Sequence, residues 1–205
     1  MFSGIIEKCG SLIQKKREGG RLVLVFQAAV WNPPLKRGES ISVNGVCLTA
    51  TQLPKNNQFK VQVVPETLAQ TTLADLRLKE KVNLERSLKW GERIGGHFVL
   101  GHIDGIGRVV RRKGRGKNFA LQIEASANII QHLVPKGSLA VDGISLTIQK
   151  LTSRSITIAV IPYTAKTTNL GSKKPGDRVN LEVDVIAKHL ARWIHQEGSE
   201  SVSEL

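Results

Sequence analysis

The 205-residue sequence has few cysteines, few aromatic residues and no long uncharged run. Its two cysteines, Cys9 and Cys47, lie far apart and form no CxxC motif, which argues against a disulfide framework and a cysteine-based zinc site. No uncharged stretch reaches about 18 residues, and the start MFSGIIEKCG has no basic segment followed by an apolar one, so neither a spanning helix nor a signal peptide is indicated. We therefore expect a cytoplasmic chain without a membrane partner.

Acidic residues are also scarce, with 17 Asp and Glu against 30 Lys and Arg, which gives a formal net charge of +13. Such a charge favours anionic partners but identifies none. A cluster of basic residues comprises Arg108, Arg111, Arg112, Lys113, Arg115 and Lys117. Because this segment contains two glycines and no interleaved aromatic residue, we interpret it as a solvated hairpin tip and not as a surface for nucleic acid.

The chain contains an internal repeat of almost one hundred residues. The segment ESISVNGVCLT (39–49) matches GSLAVDGISLT (137–147), and VVPETLAQTTL (63–73) matches the segment that ends in VIPYTAKTTNL. The segment VNLE occurs at 82–85 and again at 179–182. A repeat of this length indicates a duplicated domain, since it is too long for a solenoid unit.

Each repeat has the pattern of short β-strands. Apolar residues alternate with polar ones in short runs, and Asn44-Gly45 and Asp142-Gly143 are strong hairpin signals. The sequence therefore predicts an all-β fold of two tandem six-stranded Greek-key-like barrels, over residues 1–97 and 98–184.

The end of the chain has a different pattern. Ile186, Leu190, Trp193 and Ile194 recur at helical spacing, which predicts an amphipathic C-terminal helix over 185–198 and a frayed tail over 199–205.

Differences between the repeats indicate where chemistry could occur. Cys47 in the first repeat corresponds to Ser145 in the second, and His102 stands where the first repeat has Ile5. Asn44 corresponds to Asp142. One half thus offers a thiol and the other a hydroxyl and a carboxylate. A duplicated fold with two similar pockets favours two copies of one ligand.

Several ordered motifs resemble one enzyme family. The segments MFSGII, VNGVCLT, VNLERSL, GGHFVLGHIDG, KGSLAVDGISLT, IPYT and VNLEVDVIAKH are similar to those of riboflavin synthase of the α-chain type, which has two lumazine-binding repeats. The resemblance implies dismutation of two 6,7-dimethyl-8-ribityllumazine molecules by transfer of a four-carbon unit, which gives riboflavin and 5-amino-6-ribitylamino-uracil. It also implies a homotrimer with active sites between subunits, and neither a cofactor nor a metal. Contact with lumazine synthase is left open.

The resemblance also assigns roles to residues. The candidate catalytic residues are His102, Cys47, Ser145, Asp142 and Thr147. The candidate substrate-binding residues are Phe2, Gly4, Ile5, Ile6, Leu48, Thr49, Gln62, Val63, Val64, Pro65, Glu66, Thr67, His97, Gly101, Ile103, Lys136, Leu146, Ala159, Val160, Ile161, Pro162, Tyr163 and Thr164.

Each of these residues also has a structural interpretation. Taken alone, Cys47 could be a small buried hydrophobe, Asp142 the first residue of a turn, and His102 a partly exposed structural histidine. Glu85 and Glu182 could contact a ribityl hydroxyl, but a charge that ends a strand is usually solvated.

Two other classes of function compete with the enzyme. The first is a non-catalytic lumazine- or flavin-binding relative, such as an optical antenna protein, which would keep only one pocket intact. The second is a nucleic-acid-binding barrel, suggested by the net charge of +13. Because both repeats keep their motifs, the sequence favours the enzyme.

Overall fold

The structure is a computed structural model that describes residues 1–53, 57–116 and 118–200. The first half contains strands β1 (Lys8–Glu18), β2 (Arg21–Gln27), β3 (Ser40–Val43), β4 (Val46–Thr49), β5 (Gln58–Val63) and β6 (Lys81–Arg86). Helix α1 (Pro65–Gln70) and a 3₁₀ turn (Thr72–Asp75) connect β5 to β6. Along β5 the side chains of Phe59, Val61 and Val63 are buried and alternate with more exposed ones, as expected for a strand with one face on a core.

The second half repeats this order of elements. Its strands are β7 (Gly105–Arg115), β8 (Asn118–Glu124), β9 (Ser138–Val141), β10 (Ile144–Leu151), β11 (Ser155–Val160) and β12 (Arg178–Val183). Helix α2 (Ala127–Ile130) precedes β9, and helix α3 (Pro162–Thr167) with a 3₁₀ turn (Asn169–Ser172) precedes β12. The predicted duplication is thus present strand by strand, whereas α2 stands where the first half has the loop at residues 28–39.

The two halves share one strand order. The second half is a closed barrel with the order β10-β11-β8-β7-β12-β9, and the first is a six-stranded sheet with the equivalent order β4-β3-β6-β1-β2-β5. The edge strands β4 and β5 of the first half approach each other through the bridge between Gln52 and Lys60. The all-β prediction of two six-stranded units is therefore confirmed, with full closure of the ladder in the second unit.

The two predicted hairpin turns face each other between the halves. Asn44 and Asp142 have φ of 47° and 46°, and the glycine that follows each also has a positive φ, as in the turns that fit the twist of a hairpin. A Cβ on Gly45 would lie 2.7 Å from the backbone nitrogen of Gly143. Only glycine leaves room for this approach of two backbones.

Buried amides join the halves around these turns. The side chain of Asn180 donates to the carbonyl of Asn44 at 2.8 Å, and the side chain of Asn83 donates to the carbonyl of Asp142 at 2.9 Å. Asn169 contacts both Asn44 and Asp142 through its Nδ2. Since these polar groups are buried and hydrogen-bonded to one another, they fix the relative placement of the two halves.

The C-terminal helix α4 (Val185–Glu200) begins where Asp184 accepts the backbone N–H of Ile186 at 2.9 Å, and it extends two residues beyond the predicted end. Its apolar side chains Ile186, Leu190, Trp193 and Ile194 are 51–63% exposed. Within the described residues, no helix combines the length and apolarity needed to cross a bilayer. The predicted frayed tail lies outside the described residues from position 201 onward.

The basic cluster lies on the hairpin of β7 and β8, as predicted, but it is not wholly solvated. Arg112 donates to the carbonyls of Gly171 and Lys173 at 3.0 and 2.8 Å, and its guanidinium lies 3.5 Å from the ring centroid of Phe119. This arginine therefore supports the 3₁₀ turn before β12. Lys117 lies outside the described residues.

Candidate active site

The first segments of the two repeats, residues 2–7 and 99–104, cross between the barrels and are called the exchanged segments below. Phe2 and Val99 form a bridge in which the N–H of Phe2 donates to the carbonyl of Val99 at 2.7 Å and the reverse bond measures 3.1 Å. Beyond this bridge, Ile6 packs against the core of the second barrel, and Ile103 packs against the core of the first. Each barrel core is thus extended by an apolar side chain from the beginning of the other repeat.

Two glycines permit this exchange. The N–H of Cys47 donates to the carbonyl of Gly101 at 2.9 Å, and the N–H of Ser145 donates to the carbonyl of Gly4 at 2.8 Å. A Cβ on Gly101 would lie 2.4 Å from the Cβ of Cys47, and one on Gly4 would lie 2.7 Å from the Cβ of Ser145. Both glycines have positive φ, of 84° and 75°. The exchanged segments therefore lie directly against the two residues that differ between the repeats.

A cleft of about 220 Å³ opens beside Cys47 in the first barrel. It is lined by Val46, Cys47, Glu66, Thr67, Gln70, Thr71, Gly101, His102 and Ile103. The exchanged segment contributes the last three of these, so that the imidazole of the second repeat and the thiol of the first border one space. Burial raises the pKa of the Cys47 thiol, which keeps the sulfur protonated near neutral pH.

In the second barrel the counterpart of Cys47 is paired with a histidine. The Nδ1 of His97 lies 2.7 Å from the Oγ of Ser145. His97 is buried, and burial lowers the pKa of its imidazole although the charge of Asp184 opposes this shift. A neutral imidazole can accept the hydroxyl hydrogen of Ser145 through Nδ1 when its own proton is on Nε2. This pair has the geometry of a hydroxyl with an adjacent base.

A sequence model described as the lumazine binding domain matches this chain twice, at residues 3–87 and 100–184. Riboflavin synthase of Bacillus subtilis (strain 168) is 41% identical over 196 residues, which cover 96% of this chain and 91% of that protein. Riboflavin synthase of Actinobacillus pleuropneumoniae is 40% identical and covers 95% of this chain and 90% of its own length. The chain belongs to the riboflavin synthase family.

Solved structures agree on the fold of this riboflavin synthase family member. The crystal structure of LumP complexed with riboflavin superposes with a TM-score of 0.81 and 22% identity, over 89% of this chain and 99% of that one. LumP complexed with 6,7-dimethyl-8-(1'-D-ribityl) lumazine superposes with a TM-score of 0.78 over the same shares. At this identity the likeness supports the shared fold.

The other predicted residues occupy equivalent positions in the two barrels of this riboflavin synthase family member. Leu48, Val63 and Val160 are buried in the cores of the two barrels. Half-buried or exposed positions are Ile5, Thr49, Gln62, Val64, Pro65, Glu66, Thr67, Lys136, Leu146, Thr147, Ala159, Ile161, Pro162, Tyr163 and Thr164. Phe2 is fully buried beside Val99 and packs with Cys47. His102 is exposed in the single chain.

Asp142 lies in the contact between the barrels. Its carboxylate is fully buried and forms an ion pair of 3.0 Å with Lys173. Its Oδ1 accepts the N–H of Asn180 and its Oδ2 accepts from the side chain of Asn169, both at 2.8 Å. These partners give the carboxylate a structural role, in addition to the predicted catalytic one.

Two buried carboxylates that the sequence interpretation placed in solvent anchor the exchanged segments. Glu85 and Glu182 are 3% and 2% exposed, so the expectation of solvated charges is wrong. Glu85 accepts the N–H groups of Ser3 and Gly4 at 2.7 and 3.1 Å. The recurrence of glutamate at the same place in both VNLE segments was the signal that could have revealed this pair.

Glu182 performs the same task for the second segment. It accepts the N–H groups of Leu100 and Gly101 at 2.7 and 3.0 Å. Burial raises the pKa of this carboxyl to about 7, against these two hydrogen bonds and the charge of Lys188, which lower it. Glu182 therefore fixes the backbone that precedes His102.

Proposed function

We propose that this chain catalyses the dismutation of two 6,7-dimethyl-8-ribityllumazine molecules. A four-carbon unit passes from one molecule to the other, and the products are riboflavin and 5-amino-6-ribitylamino-uracil. One observation carries the proposal: the duplicated fold presents two equivalent positions with different reactive groups, Cys47 with His102 in one and Ser145 with His97 in the other. Two copies of one substrate require two like sites, while donor and acceptor roles require different groups.

The chemistry suits bases of modest strength. The 7-methyl C–H group of the substrate is unusually acidic because its carbanion delocalises into the heterocycle. A neutral histidine can accept such a proton at neutral pH. His102 and the Ser145–His97 pair are therefore the proposed proton-transfer groups, and Cys47, Asp142 and Thr147 complete the proposed catalytic set. The reaction also depends on holding the two rings in a fixed mutual orientation.

Substrate binding is assigned to the same parts of both barrels. The segments that follow β5 and β11 lead into short helices whose first residues are Pro65 and Pro162. Backbone groups of residues 62–66 and 159–163 and of the two exchanged segments would bind the pteridine edge. Hydroxyl groups at Thr67 and Thr164 would bind the ribityl chain. The remaining candidate residues named from the sequence belong to this binding set.

Assembly into a homotrimer is part of the proposal. The apolar face of α4 is more than half exposed in the single chain, and a face of this kind is stabilised when another copy covers it. Deletion from Asp184 onward should give monomers with little turnover. Sedimentation velocity would measure this, and an intact trimer of the truncated chain would contradict it.

A cytoplasmic location is also proposed, since Cys9 and Cys47 are free thiols that suit a reducing compartment. Contact with lumazine synthase is a separate hypothesis, which co-sedimentation of the two proteins would test.

The deciding experiment mixes the purified full chain with 6,7-dimethyl-8-ribityllumazine and follows riboflavin absorbance. Formation of riboflavin and the uracil product in equal amounts is expected. Tight binding without product would instead identify a non-catalytic binding protein. Salt-dependent binding of a random oligonucleotide that competes with the lumazine would favour a nucleic-acid-binding barrel.

A further inference from the structure

Helix α4 forms an ion pair with the exchanged segment that enters the first barrel. The Nζ of Lys188 lies 2.8 Å from both carboxylate oxygens of Asp104. Asp104 also accepts the N–H of Val183 at 2.8 Å and donates its own N–H to the carbonyl of Leu181 at 2.9 Å. Asp104 therefore connects three elements: the end of the exchanged segment, strand β12 and the C-terminal helix.

The equivalent contact in the first repeat is closed within its own barrel. Glu7 stands where the second repeat has Asp104, and it accepts the N–H of Arg86 at 2.7 Å. The cation there is the guanidinium of Arg86 itself, 3.1 Å from Glu7. In the second repeat that strand position is Val183, and the cation comes from α4. The comparison shows that the helix replaces a group which the barrel otherwise supplies.

Three charged or titratable groups interact electrostatically with the buried carboxylate of Glu182. Burial raises its pKa to about 7, Lys188 on α4 lowers it and Asp104 raises it. The third is Cys47 on β4, since Glu182 adds to the effect of burial in raising the pKa of that thiol. An ionised carboxylate accepts both N–H groups of the exchanged segment, whereas a protonated one has a donor in place of one acceptor.

We propose that Lys188 is a positioning residue for the first cleft: its ammonium group anchors Asp104 beside Glu182, so that helix α4 fixes Gly101 and His102 against Cys47. This inference rests on the proposed function, because its main measurement is riboflavin formation. Lys188 does not touch the substrate. It acts through the carboxylate that holds the backbone before His102.

The test measures the pH dependence of kcat for riboflavin formation by the full-length chain. Replacing Lys188 with methionine removes a cation that favours ionised Glu182. The acid limb of the profile should therefore move up by about one pH unit, with about fivefold lower kcat at pH 7 and little change near pH 9. Lys188→Arg keeps the positive charge, so its acid limb should lie at the same pH as that of the unchanged chain. Arg192→Met, one turn further along the same helix, should leave it in place.

Two further variants separate electrostatics from damage to the fold. Asp104→Asn removes a charge that raises the pKa of Glu182, so its limb should move down, opposite to the shift in Lys188→Met. Glu182→Gln should lower kcat at all pH values, and adding Lys188→Met to it should cause no further shift. Sedimentation velocity on every variant shows whether assembly is kept.

A uniform loss of kcat in Lys188→Met without a moved limb, or no rescue by arginine, would overturn the inference. So would shifts of the same sign in Lys188→Met and Asp104→Asn. If the unchanged chain forms no riboflavin, the proposed function fails first. If the unchanged chain forms riboflavin and the acid limb of the kcat profile does not move in Lys188→Met, this inference alone fails.

Discussion

Replacing Gly101 with alanine tests the close approach of the exchanged segment to Cys47. The new Cβ would lie 2.4 Å from the Cβ of Cys47 and 2.8 Å from its backbone nitrogen, so one of the two backbones must move. Overpacking of this kind costs about 1–3 kcal/mol. The positive φ of 84° adds about 1 kcal/mol for any residue with a Cβ. We therefore expect Gly101→Ala to lower the free energy of unfolding by about 3 kcal/mol.

Gly91→Ala is the matched control. Gly91 has a φ of 85°, but a Cβ built there meets nothing within 4 Å. Gly91→Ala should lower the free energy of unfolding only by the cost of the positive φ, about 1 kcal/mol. Alanine also makes the unfolded chain less flexible than glycine does, and this stabilising effect is the same in both variants. Urea denaturation measures the free energy of unfolding of both variants, and we expect Gly101→Ala to be less stable than Gly91→Ala by about 2 kcal/mol. Equal losses for the two variants would show that the exchanged segment does not lie against Cys47 in solution.

The same substitution should also disturb function. The cleft beside Cys47 is bounded by the segment that would move, and a displacement of about 1 Å at a reacting group can lower a rate by about 100-fold. Gly101→Ala should therefore lower kcat for riboflavin formation far more than Gly91→Ala does. Comparable kcat in both variants would refute the role of this contact in the reaction.

Two further predictions concern charge and proton transfer. His102→Ala and Ser145→Ala should each lower turnover by about 100-fold or more while lumazine binding, followed by fluorescence titration, changes much less; unchanged turnover would remove the residue from the catalytic set. Lys173→Met leaves the buried Asp142 carboxylate unpaired and should cost about 3–5 kcal/mol in urea denaturation, whereas Lys174→Met should cost little. Burial alone would lower the pKa of Lys173, but pairing with Asp142 raises it overall. The ion pair therefore stabilises the fold at pH values below the ordinary lysine pKa, and this contribution is lost as the pH rises through the pKa of Lys173 in the folded protein. We expect the free energy of unfolding of the unchanged protein to fall above about pH 10, and that of Lys173→Met to show no such fall. An equal fall in both proteins would contradict this pH dependence.

The duplication made much of the fold predictable. The recurrence of VNLE and of the Asn-Gly and Asp-Gly turns placed β6 with β12 and the β3–β4 hairpin with the β9–β10 hairpin. The exchange of the first segments could not be predicted in this way. Both segments and both receiving strands have similar sequences, so the repeat alone is equally consistent with each segment remaining in its own barrel.

Residues far apart in the sequence set the limit for the site. His97 and Ser145 are separated by 48 positions. They meet because the N–H of His97 donates to the carbonyl of Ser3 while the next residue, Gly4, accepts the N–H of Ser145. Asp142 shows the opposite case: its turn was predicted from the Asp-Gly pair, but its ion pair with Lys173 depends on the packing of the two halves. Patterns of residue type in the sequence predict local backbone geometry such as turns. They do not predict which side chains meet where the two barrels contact each other.

The crossing of the first segments has a consequence for how such a protein could arise. A chain with a single repeat would have a cleft without one of its walls until a second copy supplied that segment, so its ligand affinity would fall on dilution. Fusing two copies makes the donor of that segment a permanent neighbour, with an effective concentration set by a short linker. Pocket completion then no longer depends on how much protein a cell contains, and the two halves become free to differ at the positions where they meet.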